Sequence, residues 1–212
     1  MMHQEFEKRL ISQEDRPTMT VFAGVNGAGK STLTKILAHN NKDFLIIDAD
    51  AIARRLNPSD PAKANVAAGR QTIRLVNDCI TKGKNFTIET TLSGGNALRQ
   101  MKAAREQGFH INLYFLGLDS VYLHIERVAQ RVATGGHDIP EDLIRQRYKT
   151  SLENLPKAMQ LSDNVYLIDN TDVYTIKLEK KHGQIRFQAP ELPEWVRRAG
   201  ADLFRQQIQD NY

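Results

Sequence analysis

The chain has 212 residues, 41% of them hydrophobic and 25% charged, with a formal net charge of +4 and one cysteine, Cys79. That length suits one sizeable α/β core rather than two domains, and the mild positive excess, without a long Lys/Arg run, suits phosphorylated small partners better than nucleic acid. A lone cysteine excludes an intrachain disulfide and a cysteine metal cluster, and the lack of an apolar leader or spanning stretch points to a cytoplasmic protein with no membrane partner.

In chain order, residues 3–14 read as a short amphipathic helix with Phe6, Leu10 and Ile11 on one side, ended by Pro17. Met19 to Ala23 (MTVFA) reads as a buried strand, and Ser31 to Ala38 (STLTKILA) as a helix. Between them stands GVNGAGKS, Gly24 to Ser31, the spacing G-x-x-x-x-G-K-[ST] of a phosphate-binding loop. A second strand, Phe44 to Ile47, leads to Asp48 and Asp50; a turn-rich stretch, Pro58 to Lys63, follows. A helix over Ala64 to Lys82 stops at Gly83. Next come a strand at Phe86 to Glu89, the polar run TTLSGGN, and a helix over Ala97 to Gln107 that stops at Gly108. Beyond it lie a strand at Ile111 to Leu116, a helix from Ser120 to Ala133, the loop TGGHDIP, a helix from Glu141 to Leu161 and a strand at Val165 to Ile168. Tyr174 to Glu179 and Gln184 to Phe187 flank Lys181-His182-Gly183 as a hairpin, and a last helix runs over Glu194 to Gln209.

Short apolar strands alternating with helices predict an α/β fold. The expected parallel sheet has about five strands with helices on both faces, followed by a C-terminal β-hairpin and helix. The whole chain, 1–212, is expected to form a single domain, with 1–17 an N-terminal helix and 131–147 a lid region.

Ligands in such sheets bind beyond the carboxyl ends of the strands, so polar residues there carry the functional reading. The loop and its helix start supply Gly24, Asn26, Gly27, Ala28, Gly29, Lys30, Ser31 and Thr32 to nucleotide phosphates, and Asn170 follows the fifth strand. Lys30 can reach the β- and γ-phosphates, and Ser31 can offer a hydroxyl to Mg²⁺. Asp50 is the candidate base for an accepting hydroxyl, and Asp48 can orient Mg²⁺ waters, although either can instead cap a helix beginning near Ala51. Glu89 is the second carboxylate, facing substrate or the metal shell. Arg127 and Arg131 share a helical face, Arg147 heads a stripe with Ser151 and Asn154, and Arg131 with Arg147 are the candidate lid cations. His137 can touch substrate phosphate or fix the loop by hydrogen bonding.

GVNGAGKSTL, IIDADAIARRLNP, FTIETTLSG and RVATGGHDIPEDLIRQRYKTSLENL, in that order, resemble the zeta-toxin family of P-loop kinases, its short bacterial branch, over residues 18–171. The resemblance implies ATP- and Mg²⁺-dependent phosphorylation of a sugar hydroxyl, with UDP-N-acetylglucosamine as acceptor and a small antitoxin protein as partner. It assigns nucleotide binding to Lys30 and Ser31, the base to Asp50, substrate contacts to Glu89 and Thr91, and lid charges to Arg131 and Arg147. His137 stands where the longer toxins tend to have arginine, and the chain is shorter at its C-terminus. The acceptor therefore stays open between a UDP-sugar and a nucleoside, nucleotide or other sugar. A nucleotide-binding switch or nucleic-acid-associated NTPase is the reading from another class; the absence of an aromatic-interleaved basic patch argues against it.

Overall fold

The computed structural model of the chain describes residues 16–39 and 45–200. Its centre is made of strands too apolar to face water on either side: β1 (Thr18–Ala23), β4 (His110–Gly117) and β5 (Asn164–Asp169), the latter two buried at every position. β3 (Phe86–Thr90) and the three-residue β2 (Ile46–Asp48) continue the sheet on one side. β6 (Thr175–Lys181) and β7 (Gln184–Gln188) continue it on the other. The order is β2-β3-β1-β4-β5-β6-β7. β1 to β5 pair in parallel, while β6 and β7 run antiparallel. The C-terminal hairpin thus extends the main sheet to seven strands. It does so because β6 presents Ile176 and Leu178 to the core and so covers the far edge of β5.

The helices are α1 (Lys30–His39), α2 (Ala49–Leu56), α3 (Asn65–Thr81), α4 (Gly95–Glu106), α5 (Val121–Ala133) and α6 (Glu141–Leu161), with a 3-10 turn at Pro61–Ala64. Residues 194–200 are also helical. One sheet face buries Val21, Ile88 and Leu113 against Val76 of α3, Met101 of α4 and Leu155 of α6. The other stacks Phe22, Tyr114 and Tyr166 in a ladder, with centroids 4.9 and 4.8 Å apart, beside Leu33 and Leu37 of α1. Each fully buried side chain of this size contributes roughly 1.5–3 kcal/mol. Helices therefore cover both faces, as expected from the alternation of strands and helices.

α2 begins at Ala49, two residues before the start near Ala51 read from sequence, and the expected helix at 3–14 and the part of the last helix beyond 200 lie outside the described residues. β1 has β3 on one side and β4 on the other, so chain connections diverge at its carboxyl end and open a crevice there. Among the described residues no helix is long and apolar enough to cross a membrane.

Candidate active site

The crevice is floored by the loop between β1 and α1. Gly24 (φ 140°) and Gly29 (φ 93°) take backbone conformations that L side chains rarely adopt. A Cβ on Gly24 would strike the Leu116 carbonyl of β4, and one on Gly29 would lie 2.5 Å from Asn170 Nδ2. The loop is fastened from below: Asn170 Nδ2 donates to Ala28 O at 2.9 Å, and the Tyr174 hydroxyl donates to Gly29 O at 3.0 Å. Asn170 therefore shapes the loop, and it is not among the residues lining the cavity. α1 begins at Lys30, so its unpaired N–H groups point into the crevice and favour an anion. Lys30 Nζ lies back over the loop, donating to Gly24 O at 2.7 Å and Val25 O at 3.2 Å. Burial lowers the Lys30 pKa, and Glu89, Asp50 and Asp48 oppose that shift.

Carboxylates form one wall. Asp48 ends β2 in register with Glu89 of β3, which accepts a 2.8 Å hydrogen bond from the Ser31 hydroxyl. Asp48 also caps α2, accepting from Asp50 N–H at 2.9 Å, and its other oxygen lies 3.6 Å from Arg54. The cap that either aspartate could have supplied thus belongs to Asp48. Burial, then repulsion from Glu89 and Asp50, raises the Asp48 pKa. Asp50 stands exposed in the first turn of α2 and lines the cavity. Thr90 and Thr91 follow Glu89, held by a sharp turn in which buried Leu92 takes φ 57°, a strained value for a branched side chain. That turn is tied by Leu92 N–H to Thr90 Oγ1 at 3.0 Å and by Asn154 Nδ2 to Leu92 O at 2.9 Å.

Arginines form the opposite wall. Arg147 of α6 reaches the loop, donating to Asn26 Oδ1 at 2.9 Å. Burial lowers its pKa and the Asp50 carboxylate opposes this. Arg131 donates to the His137 carbonyl at 2.6 Å, and Arg127 to Thr171 O at 2.8 Å. His137 is exposed and contributes its backbone to this contact; its residue is not among those lining the cavity. The cleft has a volume of about 450 Å³, lined by Asn26, Gly27 and Gly29 to Thr32, by Asp48 to Asp50, Glu89 to Thr91, and by Arg54, Arg127, Arg131 and Arg147.

A sequence model of the zeta toxin family matches residues 3–181. The chain belongs to the zeta toxin family. A Haemophilus influenzae protein described as uncharacterized is 40% identical over 129 residues, covering 60% of this chain and 89% of that protein. Among solved structures, the Streptococcus pneumoniae PezAT toxin–antitoxin system superposes with a TM-score of 0.62 at 14% identity, over 99% of this chain and 91% of that one. The AvrRxo1-ORF1:AvrRxo1-ORF2 structure with ATP gives 0.68 at 14% identity, over 90% of this chain and 63% of that one. These likenesses are likenesses of fold.

As a zeta-toxin-family P-loop kinase, the protein is a phosphotransferase, and its cavity has the matching charge layout. Acids end β2 and β3, arginines come from α5 and α6, and the phosphate loop lies between them. Among the described residues no group of three His, Cys, Asp or Glu side chains could hold a metal unaided. The Ser31 hydroxyl beside Glu89 is the hard-oxygen pair that suits Mg²⁺ shared with nucleotide phosphates. Arg54 lines the cavity although the sequence reading gives it no role within IIDADAIARRLNP; its place four residues after Asp50 on α2 is the signal that it shares that helix face.

Proposed function

We propose that this chain transfers the γ-phosphoryl group of ATP to a hydroxyl of a sugar nucleotide, UDP-N-acetylglucosamine being the favoured acceptor. The observation that carries the reading is the division of labour on α2: Asp48 holds the helix start, which leaves the Asp50 carboxylate in the cavity without a capping role. Asp50 takes the hydroxyl proton as the acceptor oxygen attacks phosphorus. Lys30, Arg131 and Arg147 offset charge on the transferring group, and ADP leaves on the loop. Ser31 would hold a Mg²⁺ ion if one binds with the nucleotide, and such an ion would supply positive charge against the phosphates. Glu89 and Thr91 contact the acceptor. The four cavity arginines favour an acceptor that itself carries phosphate, since an uncharged sugar leaves part of that wall unmatched. A small antitoxin protein is the expected macromolecular partner, and the cytoplasm the expected compartment.

The test is incubation with γ-labelled ATP and Mg²⁺ against UDP-N-acetylglucosamine, other nucleotide sugars, nucleotides, nucleosides and free sugars. Label is expected on a nucleotide sugar and absent when Mg²⁺ is chelated. Label on a free sugar or nucleoside instead overturns the acceptor assignment. ATP hydrolysis that needs RNA or DNA and no small acceptor overturns the kinase reading.

A further inference from the structure

His124 takes no part in the scheme above, yet it is 1% exposed and lies directly under the phosphate loop. Its Nδ1 is 2.9 Å from the Asn26 carbonyl. A carbonyl oxygen only accepts, so Nδ1 carries the proton and the neutral ring is the Nδ1–H tautomer. Nε2 is then a buried acceptor, with no hydrogen-bond partner among the described residues. An orphaned buried nitrogen is costly, and leucine would avoid that cost at a site needing only bulk. The Nδ1–H bond is what histidine adds here.

The surroundings say what the bond does. Asn26 is 5% exposed, and its side-chain oxygen is the group that receives Arg147. The next residue of α6, Tyr148, packs its ring edge-on against His124, with centroids 5.6 Å apart. The adjacent Gly27 leaves no room for a side chain, because a Cβ there would stand 2.8 Å from the His124 carbonyl. Consecutive residues of α6 therefore grip consecutive links of one chain: Tyr148 holds His124, His124 holds the Asn26 backbone, and the Asn26 amide holds Arg147.

We infer that His124 is a positioning residue for phosphate binding, acting through Asn26 to aim Arg147 across the cavity. The inference rests on the reading of Arg147 as a phosphate-binding cation. Without the Nδ1–H bond the Asn26 carbonyl loses its side-chain partner, and the amide that orients Arg147 is held less firmly.

The test is a double-mutant cycle read by calorimetric titration with a non-hydrolysable ATP analogue and Mg²⁺, so it needs neither an acceptor nor turnover. Arg147→Ala and His124→Leu are each expected to weaken binding by about tenfold, and the double variant by no more than the worse single one. Asparagine can place an N–H where Nδ1 stands, whereas glutamine places its amide where Nε2 stands. His124→Asn should therefore recover binding to within about threefold of wild type, and His124→Gln should not. Thermal melts establish folding for each variant; if His124→Leu does not fold, the Asn-against-Gln contrast decides. Multiplicative losses in the double variant, equal behaviour of Asn and Gln, or unchanged binding in Arg147→Ala overturns the inference. A wild type that binds the analogue with this pattern but phosphorylates no acceptor overturns the proposed function and leaves the inference standing.

Discussion

Asp50 shares its electrostatic surroundings with Asp48, whose pKa is raised, and with Lys30 and Arg147, whose pKa values are lowered, and it is the group on which the chemistry is proposed to turn. Replacing Asp50 with Ala should reduce phosphoryl transfer by at least ~10²-fold, while ATP affinity changes by less than about threefold. Single-turnover kinetics beside equilibrium binding separates the two effects, and loss of binding would remove Asp50 from the role of base. His124 has its pKa lowered to about 4 by burial, with the Asn26 bond opposing. The folded protein therefore keeps His124 neutral where the unfolded chain, with its ordinary value near 6.5, takes up a proton. Stability is thus lost as pH falls from about 6.5 to about 4, by at most about 3 kcal/mol, and no further from this residue below that. Asp48, with its raised pKa, acts in the opposite sense at the acid end. Denaturant midpoints at pH 7, 6, 5 and 4.5 should fall more steeply for wild type than for His124→Asn; parallel curves would refute the assignment.

At the scale of elements, α2 is an eight-residue helix whose start depends on one side chain. Asp48→Ala removes the acceptor of the Asp50 N–H bond and should cost about 1 kcal/mol. Asp48→Asn keeps an oxygen there and removes the charge, so its melting temperature should stay within about 2 °C of wild type. The pair also separates capping from metal chemistry. If Asp48 orients Mg²⁺ waters, the Asn variant melts normally yet needs more Mg²⁺ for half-maximal transfer. If Asp48 only caps, the Asn variant titrates with Mg²⁺ as wild type does. The start of α2 reads two residues late in the sequence because this eight-residue helix follows directly on a three-residue strand. Periodicity over so few residues does not distinguish a cap from a strand end.

For the whole molecule, the phosphate loop is held from several distant parts of the chain. Leu116 of β4 abuts Gly24, Asn170 after β5 holds Ala28, and Tyr174 before β6 holds Gly29. The helical residues 194–200 reinforce β4 near this point, since Trp195 packs 5.5 Å from Phe115 and covers Gly117. Trp195→Ala is expected to cost about 3–5 kcal/mol, seen as a lowered denaturant midpoint. Gly117→Ala should be destabilising too, because its Cβ would enter the Trp195 ring. Near-native stability in Trp195→Ala would mean that the segment is not part of the cooperative fold.

Features that depend on neighbours in the chain are legible in the sequence alone. A buried strand, a glycine-rich turn and a helix start lie within two dozen residues, so the phosphate loop was legible, and alternating apolar runs gave away the parallel sheet. Strand ends are legible too, and they place Asp48, Asp50 and Glu89 at one end of the sheet. Tertiary structure decided which aspartate caps α2, that the hairpin joins the main sheet, and that Arg54 and His124 reach the site. Asn26 meets Arg147 across 121 positions and His124 across 98. Such contacts are set by how the sheet stacks α5 and α6 over the loop. Residue spacing records the period of one element and carries no measure of the distance between two.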